Sequence, residues 1–270
     1  MSHAATVARF RAMHQGPGVF VIPNPWDPGS ARVLAGLGFQ ALATSSGAAA
    51  GVLGRRDGQV SRDEAFEQAR AIAAAVDLPV SADLEKGFGD DPETVAETIR
   101  MAVEAGLAGG SIEDATGNPD RPLFDLGQAT ERVAAAAETA RELSFVLTAR
   151  SENFLRGRPD LDDTIVRLQA FDKAGADVLF APGLPDLAAV RTVCAAVSKP
   201  VNFMVGIKGR SFSVAELEAA GVRRISLAAS LYRAAMTGLV DAGREIMAGG
   251  TFGYLDRTMI TAELNTLMQG

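Results

Sequence analysis

Eight short apolar segments, each followed by residues at helical spacing, constrain what this chain can fold into more than any other feature. They lie at 18–25 (GVFVIPNP), 39–46 (FQALATSS), 78–85 (LPVSADLE), 107–114 (LAGGSIED), 143–152 (LSFVLTARSE), 175–182 (GADVLFAP), 199–205 (KPVNFMV) and 222–230 (VRRISLAAS). Near-continuous apolar strands that alternate with amphipathic helices predict a parallel sheet covered by helices. In 64–76 the residues Ala65, Ala69, Ile72 and Val76 share one helical face, and in 93–105 Val95, Ile99 and Val103 do the same. Asp91 can cap a helix that has Pro92 at its first position. Glycine closes helices just before strands in LAGLGF, VEAGLAGG, DKAGAD and EAAGVRR. Eight helix–Gly–strand units match a closed (β/α)8 TIM barrel better than an open doubly wound sheet, which stays as the alternative. No linker divides the chain, so we expect one barrel domain over 1–270. Residues 1–17 form an N-terminal helical segment and 240–270 a C-terminal helical extension.

Composition narrows the partners. A formal net charge of −7 and the absence of Lys/Arg runs argue against nucleic acid or an anionic membrane surface. The single cysteine, Cys194, excludes an internal disulfide, and its helical spacing from Val190 and Val197 predicts core packing rather than a catalytic thiol. No apolar run approaches the roughly 20 residues that span a bilayer, and the N-terminus has no secretory h-region, so a cytoplasmic location is expected.

In a barrel of this kind reactive groups gather at the C-terminal ends of the strands. Those ends carry Asn24, Trp26 and Asp27 on the first strand and Thr44, Ser45, Ser46 and Gly47 on the second. Asp83 and Glu85 follow on the third, Glu113 and Asp114 on the fourth, Arg150 with Glu152 and Asn153 on the fifth, and Asn202 on the seventh. Residues two apart on a strand face one side, so Asp83 and Glu85 can share one cation. Acids without His or Cys beside them make an all-oxygen site that suits Mg2+ or Mn2+. Zinc is disfavoured, because His3 and His14 both lie in the N-terminal segment. Arg150 offers a planar fork for a carboxylate or phosphonate, or else an internal ion-pair partner for Glu113. The TSSG stretch can cradle an anion with hydroxyls and backbone N–H groups, or can be turn chemistry only. Trp26 can wall the pocket or pack at the barrel rim.

Four ordered motifs, LGRRDG, SADLEKGFG, GGSIEDA and LTARSENF, together resemble the isocitrate lyase / phosphoenolpyruvate mutase superfamily, from about Val21 to Leu231. The resemblance implies a Mg2+-binding barrel, a homo-oligomer (tetramer or dimer) with an exchanged C-terminal helix, and cleavage of C–C or C–P bonds beside an α-oxo or α-hydroxy carboxylate. By motif, Asp83 resembles the direct metal ligand, and Glu85 and Glu113 resemble ligands acting largely through water. Ser45, Ser46 and Gly47 resemble the segment that holds the substrate carboxylate, Asp57 an acid near the metal, and Arg150 the arginine on the substrate's charged end. Asn202 is a candidate ligand for a distal carboxylate.

There are departures. The loop after the fourth strand, IEDATGNPDRPLFD, lacks the lyases' KKCGH motif and carries no Lys, Cys or His. It keeps only Asn118 of the Lys/Asn pair found in the C–P enzymes, and the usual DxD is DLE here. With Gly117, Pro119 and Pro122 the loop can still act as a gate. The expected activity is therefore a Mg2+-dependent C–C lyase or decarboxylase on a small oxaloacetate- or methylisocitrate-like acid, with Asp57, Glu113 and Arg150 in catalysis. Phosphonopyruvate chemistry and a non-catalytic oxoacid-binding barrel are the alternatives. The C-terminal stretch either exchanges between subunits or docks on its own barrel.

Overall fold

The computed structural model describes residues 2–269. All eight apolar segments become strands: β1 Phe20–Ile22, β2 Leu42–Ala43, β3 Val80–Asp83, β4 Gly109–Glu113, β5 Val146–Arg150, β6 Val178–Phe180, β7 Val201–Met204 and β8 Arg224–Ser226. They pair in parallel in the order β1-β8-β7-β6-β5-β4-β3-β2. The seam between β1 and β2 is bridged by one backbone hydrogen bond, from Ala43 N to Pro23 O at 3.0 Å. Asn24 reinforces it: its Nδ2 donates to Thr44 O at 2.8 Å, while its Oδ1 accepts from Leu227 N at 2.9 Å. The sheet is thus a nearly closed (β/α)8 barrel, and the open-sheet alternative falls.

The connecting helices are α2 Pro28–Gly36, α3 Ser46–Val52, α4 Arg62–Ala74, α5 Pro92–Glu104, α6 Leu126–Glu142, α7 Leu161–Ala174, α8 Leu187–Ala196 and α9 Val214–Ala219. Their starts follow the sequence signals. Asp91 accepts from Thr94 N with Pro92 at the first position of α5, and Ser61 and Glu64 form a reciprocal capping box on α4. Gly175 ends α7 at φ 108°, a left-handed conformation open to glycine at little steric cost. The buried face of α4 is Phe66, Ala69 and Ile72 rather than the stripe through Ala65, because the larger phenyl ring claims the core. Cys194 packs against the main core, and burial pushes its thiol up to about 11, away from nucleophile chemistry.

Helix α1, His3–Gln15, covers the N-terminal mouth of the barrel. Val7 and Phe10 pack there with Ala41, Ala108, Val146 and Val178, residues at or just before the starts of their strands, and with Ile22 of the short β1. At the other end of the chain α10, Ser230–Gly249, buries none of its residues and exposes Leu239, Val240, Ile246 and Met247. After a short 3-10 turn, Gly253–Arg257, helix α11 (Thr261–Leu267) returns to α2 of the same chain. A methyl group on Gly36 would sit 2.6 Å from Leu267 O, so only glycine allows this approach. Among the described residues no helix is long and apolar enough to cross a membrane.

Candidate active site

The strand C-termini surround a cavity of about 200 Å³. The ends of β1 and β2 bring Asn24, Ser45, Ser46 and Gly47 to it. Asp83 comes from β3, Arg150 from β5, Asn202 and Met204 from β7, and Ser226 from β8. Asp57 reaches the rim from the loop after α3, and a side chain on Gly47 would meet the Asp57 carboxylate at 3.3 Å.

Asp83 is held on several sides. Its backbone N–H donates to Thr44 Oγ1 at 3.1 Å, and its Oδ2 accepts from Ser46 N at 3.3 Å. Oδ1 accepts from Arg150 Nη1 at 2.9 Å. Glu85 and Glu113 stand beside it without lining the cavity, tied by Glu113 N donating to Glu85 O at 2.9 Å. The chain reaches this geometry through two non-glycine residues in the left-handed region, Glu85 at φ 49° and Phe88 at φ 57°. Buried Arg132 of α6 supports the turn. Its Nη1 donates to Gly89 O and Asp90 O, both at 2.8 Å, its Nη2 donates to Lys86 O, and its guanidinium lies 4.2 Å from the Phe124 ring centroid.

Arg150 resolves the ambiguity left by the sequence: it is an internal ion-pair partner and also lines the cavity. Glu152, fully buried, takes its Nε at 3.1 Å and its Nη2 at 2.6 Å, while Glu113 Oε2 lies 3.3 Å from Nη2. Burial alone would lower the proton affinity of Arg150, but Glu152, Glu113 and Asp83 more than offset it, so the charge is permanent. Arg156 Nη2 also reaches Glu113 Oε1 at 3.0 Å.

Negative charge still exceeds positive here. Burial, with the carboxylates of Asp83 and Asp57, pushes Glu85 up to about 7. Burial likewise raises Glu113, with Glu152 and Asp83 adding to it and Arg150 opposing. Such repulsion is what a hard dication relieves. Among the described residues no three acid, histidine or cysteine side chains converge into a ready-made metal cage. Asp83 and Asp57 are the acids that line the cavity and could hold such an ion, and oxygen donors of this kind suit a hard cation that keeps part of its water.

Trp26 stands apart from the other expected site residues. It packs edge-on against Tyr232, with ring centroids 5.5 Å apart, and lines a separate recess with Leu34, Leu231 and Met268. The cause is local: Trp26 N donates to Ser30 Oγ in the cap of α2, and the indole faces the side where α11 returns. Sequence reasoning also passed over Glu152 as the anchor of Arg150, although the Arg-x-Glu spacing placed both at one strand end. It missed Ser81, Ser111 and Arg224, which line the cavity below the rim. The signal for them was the strand period of two, applied inward from Asp83, Glu113 and Ser226.

Comparison with known proteins places this geometry. The family model described as phosphoenolpyruvate phosphomutase matches residues 10–247. The chain belongs to the phosphoenolpyruvate phosphomutase family. Among curated relatives, the 2-methylisocitrate lyase of Escherichia coli (strain K12) is 32% identical over 207 residues, covering 73% of this chain and 69% of that protein. An oxaloacetate decarboxylase of Marinomonas sp. (strain MWYL1) is 28% identical over 265 residues, covering 96% and 91%. A solved Burkholderia cenocepacia J2315 protein, whose name leaves lyase and mutase open, is 48% identical with a TM-score of 0.97, covering 99% of this chain and 97% of that one. Family members thus include lyases and decarboxylases that act on small acids.

Proposed function

We propose that this protein is a Mg2+-dependent lyase or decarboxylase acting on a small α-oxo or α-hydroxy dicarboxylate. The observation that carries the reading is the excess of buried and half-buried carboxylates at the ends of β3 and β4, set against a cavity smaller than the ~300–1,000 Å³ of drug-sized sites. Asp83 would hold the ion directly, with Glu85 and Glu113 acting through water. When bound, the metal supplies a Lewis acid beside the substrate's oxo and carboxylate oxygens, where negative charge develops as the neighbouring bond breaks.

The chain's own groups do the rest. Ser45, Ser46 and Gly47 offer hydroxyls and backbone N–H groups to the substrate carboxylate. Glu152 fixes Nε and Nη2 of Arg150, so that Nη1 is the donor beside Asp83 at the cavity. Asp57 closes over Gly47 and is placed to exchange a proton with bound substrate, with raised Glu113 as a second proton carrier. The gate loop carries no thiol or lysine of its own, so the acid/base groups of this reading come from outside it. Asn118 Oδ1 accepts from Asp120 N at 2.9 Å, so its side chain shapes the turn, and Lys86 Nζ donates to Thr116 O at 3.0 Å. That use of Asn118 weighs against phosphonopyruvate as substrate.

The test is turnover of oxaloacetate by metal-stripped and Mg2+-restored protein, wild type against Asp83→Ala. The expected loss in kcat/KM is on the order of 1,000-fold, equivalent to about 4 kcal/mol of transition-state stabilisation. Wild-type rates in Asp83→Ala would remove the assignment. The exposed apolar residues of α10 support a further part of the reading, a homo-oligomer in which this helix lies on a neighbouring barrel. Light scattering that returns a monomer would end that part.

A further inference from the structure

Below the carboxylate rim the barrel interior is polar where barrels usually carry branched apolar side chains. Ser81, Ser111, Asn202 and Arg224 line the cavity at this depth, and Thr148 lies behind them. Arg224 is buried, yet each of its contacts is to an uncharged group. Nε donates to Asn202 Oδ1 at 2.8 Å, Nη2 donates to Thr148 Oγ1 at 3.0 Å, and Nη1 faces His14 Nε2 at 3.3 Å. His14 Nδ1 lies 2.8 Å from Phe10 O; donating there leaves Nε2 as the acceptor. Arg150 has three carboxylates, and Arg167 has Asp114 and Asp163. Buried Arg132 also meets only uncharged acceptors, but it lies outside the cavity and spends its donors on three backbone carbonyls. Burial pushes Arg224 down to about 9, and Arg150, a charge of its own sign, adds to the shift.

A buried charge without a partner is costly unless something of opposite sign completes it. A guanidinium has five N–H donors, so three contacts leave one on each terminal nitrogen, the fork that a carboxylate accepts. Ser226 adds a hydroxyl beside it, positioned by the Asn202 Nδ2 donor at 2.9 Å. We propose that Arg224 determines specificity as the floor of an anion subsite, which seats the second carboxylate of the substrate and restricts the site to short dianionic acids. The inference rests on the functional reading above and deepens it: the metal end of the substrate lies at the acidic rim, the other end at Arg224.

The test compares binding, with Mg2+ present, of 3,3-difluorooxaloacetate and 2-oxobutyrate, which share the oxo-carboxylate end and differ in the distal carboxylate. Oxalate serves as the probe of the metal end alone. Wild type is expected to prefer the dianion, and Arg224→Gln to weaken dianion binding roughly 10- to 100-fold with little change for 2-oxobutyrate. Because Arg224→Gln can also disturb folding, Asn202→Asp provides a second measurement. It sets a carboxylate against Nε as an internal counter-ion, and is expected to give the same selective loss without lowering the melting temperature. The proposal is overturned if both variants keep the wild-type preference, or if wild type binds oxalate yet shows no preference for the dianion. Failure of wild type to bind oxalate with Mg2+ would overturn the functional reading itself, and this inference with it.

Discussion

The rim of the barrel and its floor carry opposite electrostatic problems. At the rim Asp57, Asp83, Glu85, Glu113 and Glu152 outnumber Arg150 and Arg156, and Glu85 is raised by its burial and, beyond that, by the Asp83 and Asp57 carboxylates. At the floor a single guanidinium is surrounded by neutral acceptors. One end asks for a cation and the other for an anion, along one small cavity. On the proposed reading, the α-oxo carboxylate end, which can chelate a cation, would face the rim and the plain carboxylate would face Arg224, so a short oxo diacid would be oriented before any chemistry.

The contrast breaks most visibly at Arg150. Arg150→Gln leaves Asp83, Glu113 and Glu152 without their shared cation, and unfolding in urea should show a loss of about 3–5 kcal/mol. A loss well below 1 kcal/mol would mean that the rim does not depend on this arginine.

At the floor, His14 is held neutral and its pKa falls to about 3 through burial, with Arg224 adding to the shift. The unfolded chain then binds the proton first. Stability should therefore fall as pH drops below about 6.5, continue falling toward pH 3, and be lower by about 2 kcal/mol at pH 5 than at pH 7 from this group alone. His14→Gln should flatten that part of the profile, and an unchanged acid limb would show that the floor tolerates a second cation.

The smallest effect belongs to Glu85. Its folded pKa is raised, so its ionisation removes stability as pH climbs from about 4.5 through 7. The side chain is only partly buried, so solvent screening reduces the effect to about 1 kcal/mol. Glu85→Gln should be more stable than wild type by that amount at pH 8 in chelator, and the gap should close below pH 5 or on adding Mg2+. A gap that ignores Mg2+ would separate Glu85 from the metal.

Much of the lining of the candidate site was legible before the fold was known. Asp83 and Glu85 announce themselves because two acids end an apolar run, and the TSSG stretch sits at the end of another. Trp26 shows where this reasoning stops. Its place beside a strand end left pocket wall and rim packing equally open, and the cap of α2 and the return of α11 turned it toward a different recess. Arg224 shows a failure, a charged residue read as part of an apolar strand and found inside the barrel.

The alternation of strands with helices, their glycine stops and the acids at strand ends all rest on neighbours a few residues apart, so periodicity and capping chemistry sufficed to reveal them. Which charges meet is a different matter. Arg150 finds Asp83 across 67 residues and Arg224 finds His14 across 210, contacts set by how the strands tilt and register around a closed barrel and by α1 covering its lower mouth. Local order along the chain carries no information about that registry. The acidic rim could be read from letters, but the unpaired cation beneath it emerged only when eight strands closed around the same space.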